Sequence, residues 1–213
     1  MLISTVALRP LLDAVASAGF PVVGLDHDPE KIAKLKRGEN YLPHLGAGLV
    51  ERLSGNPRVV LTSDDDDLYP AHIVLICVPT PLDEKREPDL SAVRRAAGAV
   101  QRAVAAIPDH PRLVVLESTT YPGTTREVVA SGVRGGGGQA SVFVAFSPER
   151  EDPGNPNHTT RTIPKLIGGV DEASGVLAKR FYEAVVERVV RCQSAEVAEA
   201  DKLVKNVYRA VNI

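Results

Sequence analysis

Short apolar runs alternate with amphipathic segments along most of the chain, and this alternation constrains the fold more than any other feature. Seven runs have strand character: Pro21–Leu25, Val59–Thr62, His72–Val78, Arg112–Glu117, Val142–Phe146, Lys165–Gly168 and Arg188–Val190. Seven segments have helical spacing: Leu11–Ala18, Pro29–Arg37, Gly48–Leu53, Leu90–Ala106, Thr124–Ser131, Asp171–Val186 and Ala195–Val211. Apolar strands that alternate with helices predict an α/β fold, with a doubly wound parallel sheet buried on both faces.

Composition excludes several classes of protein. The formal net charge of −2 gives no electrostatic reason to expect a nucleic acid or a membrane surface as partner. No apolar run is long enough to predict a membrane span, and the start of the sequence lacks the basic leader of a signal peptide. Cys77 and Cys192 form neither a disulfide framework nor a metal-ligand spacing, so we expect no metal and a cytoplasmic location.

The segment VVGLDHDPEK, residues 22–31, has the pattern of a strand that ends in an acidic residue and leads into a helix. This pattern is typical of the second βα unit of a Rossmann-like dinucleotide fold. There Asp26 would accept hydrogen bonds from the adenosine ribose, and its charge would favour NAD over NADP. The alternative is that Asp26 is only a helix N-cap.

The sequence departs from that fold at its beginning. A dinucleotide fold needs a glycine-rich turn after its first strand, so that backbone amides can approach the pyrophosphate. The first glycine here is Gly19. We therefore expect a truncated first strand and a missing or replaced glycine turn.

Polar residues follow three of the predicted strands. Val78-Pro79-Thr80 ends one of them, and Ser118-Thr119 ends the next. The run SPEREDPGN then places Glu149 at the tip of a third, where charged groups are costly to desolvate without a ligand or an ion network. Because ligands bind at the carboxyl ends of parallel strands, these residues predict a site along one edge. Each of them alone is also compatible with an ordinary turn or cap.

The last segment places Glu199, Lys202, Asn206 and Arg209 on one helical face. A solvated polar stripe is one interpretation. The other is that Lys202 and Asn206 together bind an oxygen that gains negative charge during hydride loss.

Five ordered segments carry a family resemblance: VVGLDHDPEKIAKLKRGENYLPH, VLICVPTPLDEKREPDLSAV, VVLESTTYPGTT, FSPEREDPGNPNHTTRTIPKLIGG and AEADKLVKNVYRAVNI. In this order and spacing they resemble the UDP-glucose/GDP-mannose dehydrogenase family. The SPEREDPGN and RTIPKLIGG segments are most similar to its UDP-N-acetylglucosamine 6-dehydrogenase branch. The match extends over nearly all of residues 20–213.

The resemblance implies NAD-dependent oxidation of the C6 hydroxyl of a UDP-sugar to the carboxylate, through an aldehyde, a cysteine thiohemiacetal and a thioester. It implies that the cofactor is bound by Asp26, Lys31, Val78, Pro79, Thr80 and Ser118. It also implies that Thr119 and Glu149 manage the catalytic water and proton transfer, and that Lys202 and Asn206 stabilise the C6 oxygen and the anionic intermediates.

The same resemblance divides the chain into an NAD-binding domain, residues 1–194, and the start of a long central helix, residues 195–213. That helix commonly builds a homodimer in this family. The nucleophilic cysteine segment and the sugar-binding domain would lie beyond Ile213, and Cys77 and Cys192 are interpreted as buried or structural thiols.

Two alternatives to a dehydrogenase half remain open at this point. One is a truncated paralogue that acts as a binding or interaction module, and the other is an oxidoreductase of the 6-phosphogluconate type. The SPEREDPGN run argues against the second.

Overall fold

The computed structural model describes residues 2–4, 9–39, 47–134, 141–148 and 162–212. The strands are β1 (Leu2–Ser4), β2 (Val22–Leu25), β3 (Val59–Thr62), β4 (Ile73–Cys77), β5 (Arg112–Leu116), β6 (Val142–Phe146), β7 (Lys165–Gly169) and β8 (Val189–Arg191). The helices are α1 (Arg9–Ser17), α2 (Pro29–Lys36), α3 (Ala47–Ser54), α4 (Ser91–Ala106), α5 (Ser131–Arg134), α6 (Glu172–Glu183) and α7 (Ala195–Asn212). A 3₁₀ turn spans Asp65–Leu68, and a π-helix, Thr125–Ala130, runs directly into α5.

All eight strands form one sheet in the order β3-β2-β1-β4-β5-β6-β7-β8. Strands β1 to β6 are parallel, β7 is antiparallel to β6, and β8 is parallel to β7. The first six follow the Rossmann order 3-2-1-4-5-6, which confirms the predicted α/β class. The expected shortness of the first strand is also visible. β1 has three residues but occupies the centre of the sheet, with Leu2 opposite both Gly24 and Leu75.

Helices cover both faces of the sheet, because the strand residues are apolar on both sides. On one face, residues of α1, α3 and α6 pack on alternate strand residues such as Leu75 and Val115. On the other face, α4, the π-helix and the start of α7 pack on Ile76, Val114 and Phe146. The segment predicted as a helix over residues 124–131 is therefore present, but nearly all of it, Thr125–Ala130, has π rather than α winding. No helix among the described residues has the length and apolar character needed to cross a bilayer.

Two glycines at the end of β7 allow helices to approach the sheet backbone. A Cβ atom on Gly168 would lie 2.0 Å from the carbonyl oxygen of Ser194, immediately before α7. A Cβ atom on Gly169 would lie 2.2 Å from the backbone nitrogen of Gly175 in α6. The backbone at the start of α7 therefore packs directly on the backbone of β7, at a distance that only glycine permits.

A buried ionic cluster joins β5, β7 and α6. Lys165 Nζ donates to Glu117 Oε2 at 2.5 Å, and Tyr182 Oη donates to the other oxygen of the same carboxylate. Lys165 Nζ also lies 5.3 Å from the centre of the Tyr182 ring. All three residues are buried. A buried carboxylate is tolerated only when it is paired and hydrogen-bonded, so this cluster fixes the antiparallel strand β7 beside the parallel part of the sheet.

We expect Gly168→Ala to destabilise the fold, because the added methyl group overlaps the Ser194 carbonyl and α7 must move away. The expected loss is about 1–3 kcal/mol of unfolding free energy. Gly98→Ala is the matched control. Gly98 lies within α4, and a Cβ atom there would have 3.9 Å to its nearest neighbour. Alanine should stabilise that position by about 0.5–1 kcal/mol. Urea denaturation measures the unfolding free energy of both variants. Equal changes in the two would contradict the close packing of Ser194 on Gly168.

We expect Lys165→Met to cost about 3–5 kcal/mol, because it leaves the Glu117 carboxylate buried without its cation. The double variant Glu117→Gln/Lys165→Met should recover most of this loss. Lys179→Met is the control, since the Lys179–Glu183 pair at 3.3 Å is largely exposed and should contribute less than about 1 kcal/mol. Equal urea midpoints for Lys165→Met and Lys179→Met would contradict the prediction that the buried pair contributes more to the unfolding free energy than the exposed pair.

Candidate active site at the carboxyl edge of the sheet

Asp26 lies directly after β2, at the carboxyl edge of the sheet. Its backbone N–H donates to the Thr62 carbonyl at 3.1 Å, which keeps it beside the end of β3. Its side chain is half-buried and accepts a hydrogen bond from the Asp28 N–H at 3.0 Å. Burial raises the pKa of Asp26, while the Asp28 hydrogen bond and the charge of Lys31 act in the opposite direction.

The N-cap of α2 is Asp28, not Asp26. The Asp28 carboxylate accepts from the N–H groups of Glu30 and Lys31 at 3.0 and 3.4 Å, and Pro29 occupies the first turn, where its missing N–H costs nothing. Lys31 Nζ lies 3.6 Å from Asp28 Oδ2. The alternative interpretation of Asp26 as the helix cap is therefore wrong, and its carboxylate accepts the N–H of the residue that is the cap.

The ends of β4 and β5 are tied together by side-chain hydroxyls. Ser118 Oγ accepts from the Val78 N–H at 2.8 Å and donates to the Val78 carbonyl at 2.7 Å. Thr80 Oγ1 donates to the Thr119 carbonyl at 2.6 Å, so this hydroxyl bonds to the residue that follows Ser118. Pro79 and Thr119 are exposed along the same rim. The structure thus brings together Val78, Pro79, Thr80, Ser118 and Thr119, as predicted.

The strand order places Asp26 and this rim on the two sides of β1. Two strand spacings separate β2 from β4, about 10 Å in all, which an extended dinucleotide can span. The crevice lies where the strand order reverses, between β1 and β4. That is the position at which open α/β sheets bind ligands.

The helix α7 begins beside this edge and carries the remaining candidates. Glu199 is fully buried, Lys202 is half-buried one turn further on, and Asn206 is exposed. The interpretation of this face as a solvated stripe is therefore wrong for Glu199. The side chain of Arg209 lies outside the described residues, and so do Glu149 and the rest of the EREDPGN run. The assignment of Glu149 stays a prediction.

Sequence reasoning missed the buried partners of two carboxylates near the site. Glu117, the residue before Ser118, is paired with Lys165 as described above, and Glu199 accepts hydrogen bonds from the turn after β5. Glu117 ends a continuous apolar run. A charged side chain at the end of a buried strand requires a buried partner, so this position was the one indication of an ion pair in the sequence.

Neither cysteine is exposed, although Cys77 directly precedes the rim residue Val78. Cys77 is buried in β4, as predicted, and Cys192 is half-buried before α7. Neither forms a disulfide. Among the described residues, no group of three or more histidine, cysteine, aspartate or glutamate side chains could hold a metal ion.

A second depression lies at the opposite, amino edge of the sheet. This cleft of about 820 Å³ is lined mainly by apolar side chains, among them Phe20, Phe143, Leu177 and Phe181. No carboxylate or hydroxyl group converges on it among its described lining residues. Its polar lining side chains are His72, Arg112 and Arg180, whereas the carboxyl edge carries the Asp26 carboxylate and the hydroxyl groups that can bind a ribose.

Comparison with known proteins identifies the family of the chain. Residues 9–186 match the model of the UDP-glucose/GDP-mannose dehydrogenase family, NAD binding domain. The chain is 36% identical over 205 residues to UDP-N-acetyl-D-mannosamine dehydrogenase of Pyrococcus horikoshii, covering 93% of this chain and 47% of the relative. It is 29% identical over 199 residues to UDP-N-acetyl-D-glucosamine 6-dehydrogenase of Pseudomonas aeruginosa, covering 90% of this chain and 44% of that one.

A solved structure supports the fold independently of sequence. The ternary complex of GDP-mannose dehydrogenase from Pseudomonas aeruginosa superimposes with a TM-score of 0.88 at 22% identity, covering 99% of this chain and 50% of that chain. The chain spans about half the length of the curated relatives that it matches. It belongs to the UDP-glucose/GDP-mannose dehydrogenase family, whose NAD-binding domain it contains.

Proposed function

We propose that this chain is the cofactor-binding part of an NAD-dependent dehydrogenase that oxidises the C6 hydroxyl of a UDP-sugar to the uronic acid. The observation that carries this proposal is the carboxyl edge of the sheet. There Asp26 and the rim Val78–Ser118 lie on the two sides of β1, and Glu199 of α7, one helical turn before Lys202, contacts the turn after β5.

The proposed cofactor residues fit the two ends of a dinucleotide. Asp26 accepts the adenosine ribose hydroxyls, and Lys31, held one turn into α2, lies beside it. A 2′-phosphate would be repelled by the Asp26 carboxylate, so NAD is preferred over NADP. Val78, Pro79, Thr80 and Ser118 line the groove beyond β1. Their mutual hydrogen bonds keep that groove rigid before any ligand binds.

The proposed catalytic residues are Thr119, Glu149, Lys202 and Asn206. Bound NAD⁺ supplies the hydride acceptor. The positive charge of Lys202 stabilises negative charge on the C6 oxygen, and Asn206 donates a hydrogen bond to the same region. Thr119, exposed on the rim, and Glu149 position the water and transfer protons.

The proposed substrate is a UDP-2-acetamido sugar, with UDP-N-acetylglucosamine as the first candidate. The SPEREDPGN and RTIPKLIGG segments support UDP-N-acetylglucosamine as the substrate, and so does the name of the Pseudomonas aeruginosa relative. The name of the Pyrococcus horikoshii relative points to the C2 epimer, UDP-N-acetylmannosamine. Parallel assays with the two sugars distinguish these epimers.

We also propose a cytoplasmic homodimer that forms through α7. Four large side chains of this helix are more than half exposed: Val204, Val207, Tyr208 and Val211. Such an apolar face requires a partner surface. The alternative proposal, an interaction module without turnover, uses the same face and predicts no dehydrogenase activity in any form of the protein.

We expect the 213-residue chain to bind NAD⁺ weakly and NADP⁺ more weakly still, as measured by calorimetry or ligand-observed NMR. Asp26→Asn should weaken NAD⁺ binding about tenfold, about 1.4 kcal/mol, and should reduce the preference for NAD⁺ because the repulsive charge is gone. Asp109→Asn is the control, since Asp109 is exposed in the α4–β5 connection at the amino edge. An unchanged preference in Asp26→Asn would contradict the assignment of Asp26.

We expect the chain alone to produce no sustained NADH from UDP-sugars, because Cys77 is buried in β4 and Cys192 lies beside β7, so neither is placed to attack an aldehyde. The product of the longest reading frame that contains these residues should instead form two NADH per sugar oxidised. Absorbance at the NADH band, with UDP-N-acetylglucosamine, UDP-N-acetylmannosamine and UDP-glucose in parallel, identifies the substrate. Lys202→Met should lower kcat about 10²–10³-fold. NAD⁺ binding without turnover of any of these sugars would favour the interaction module.

A further inference from the structure

The carboxylate of Glu199 lies in a site built from backbone amides. Glu199 is fully buried, and three donors point at it from the turn after β5. Gly123 N–H reaches Oε2 at 2.7 Å, and Oε1 accepts from both the N–H and the hydroxyl of Thr125, at 2.8 and 2.6 Å. No such interaction was expected from the sequence, because the donor and acceptor residues lie 74 to 76 positions apart.

These donors are the N–H groups at the start of a helical segment. The first N–H groups of a helix have no partner within the helix, and the helix dipole makes this end attractive to anions. Here the segment is the π-helix that begins at Thr125, and the anion is a side chain of another helix. Glu199 therefore occupies an anion site on its neighbour and joins α7 to it.

The turn that presents these amides depends on Gly123. Its φ angle is +102°, in the region that favours glycine, and an added Cβ atom would lie 3.3 Å from Glu127 Oε1. The turn is thus shaped to direct the Gly123 N–H toward α7. Burial raises the pKa of Glu199, whereas the hydrogen bonds from Thr125 and Gly123 lower it, so the three donors offset the cost of desolvating the carboxylate.

Two anchors hold the first turns of α7. The chain is pressed against Gly168 at Ser194, before the helix begins, and Glu199 is held by the turn after β5. Because an α-helix rises about 1.5 Å per residue, Lys202 lies about 4.5 Å beyond Glu199 along the axis and Asn206 about 10.5 Å beyond it. On the other side of the contact, Thr119 precedes Gly123 by four residues. The Glu199 carboxylate therefore connects α7, which carries Lys202 and Asn206, to the turn that follows Thr119.

We propose that Glu199 is a positioning residue, whose carboxylate sets where Lys202 and Asn206 lie relative to the Ser118–Thr119 rim. The importance of this distance for catalysis rests on the proposed function. The placement of α7 itself does not, and it can be measured without NAD⁺ or a UDP-sugar. A failure of the one proposal is thereby distinguishable from a failure of the other.

Glu199→Gln tests the proposal. One oxygen becomes an NH₂ group, which must face the Gly123 N–H or the Thr125 donors, so two donors oppose each other and α7 must shift. Spin labels at Val204→Cys on α7 and Arg95→Cys on α4, both exposed positions, report the distance by pulsed electron resonance. The background carries Cys77→Ala and Cys192→Ser. Circular dichroism at the measuring temperature shows that each variant is folded.

Glu196→Gln is the matched control. Glu196 lies one turn earlier on α7 and pairs with Arg126 of the π-helix at 2.7 Å, but this pair is partly exposed. We expect Glu199→Gln to shift or broaden the distance distribution by more than the rise of one residue, about 1.5 Å, and Glu196→Gln to leave it within that limit. A folded Glu199→Gln variant with the unsubstituted distribution overturns the proposal.

If Glu199→Gln does not fold, Thr125→Val decides. This variant removes the hydroxyl donor, keeps both backbone amides and preserves the shape of the side chain. A broadened distribution supports the proposal, and an unchanged one contradicts it.

Discussion

Both faces of the parallel sheet are buried, and this constraint determines where a ligand can bind. Helices occupy the two faces, so strand side chains such as Val114 and Val115 can only serve the core. Polar chemistry is left to the residues that follow each strand. Because the strands β1 to β6 are parallel, Asp26, Val78 and Ser118 all emerge at the same edge, although they are far apart in the sequence. The candidate site follows from this arrangement of strands.

Much of that arrangement is readable from local patterns. The strands are continuous apolar runs, and the entry to α2 is signalled by Asp28 followed by Pro29, so the position of Asp26 after β2 can be predicted within a residue. The rim at Val78 and Ser118 follows from where two strands end. The observed roles of the hydroxyls could not be predicted, because Ser118 and Thr80 bond to backbone groups that only the strand pairing brings near.

The buried charges show the limit of such reasoning. Lys165 and Glu117 are 48 positions apart, and they meet because β7 runs antiparallel to β6 and therefore begins at the carboxyl edge, where β5 ends. Helical periodicity placed Glu199 on the same face as Lys202. It could not show that this face meets the turn at Gly123, because the angle of α7 depends on its contact with Gly168. In both cases the partner is selected by packing between elements, about which a local pattern contains no information.

The carboxylate at the start of the π-helix has a consequence for the symmetry of the fold. A doubly wound sheet has two similar halves, and a helix that follows a strand in either half can offer its first amides to a phosphate. In the half that begins with β4, the amides of Gly123 and Thr125 are already taken by Glu199. The start of this helical segment therefore binds an anion that belongs to the protein itself. A cofactor phosphate must take its amide donors from another helix start, because these two hold α7 in place.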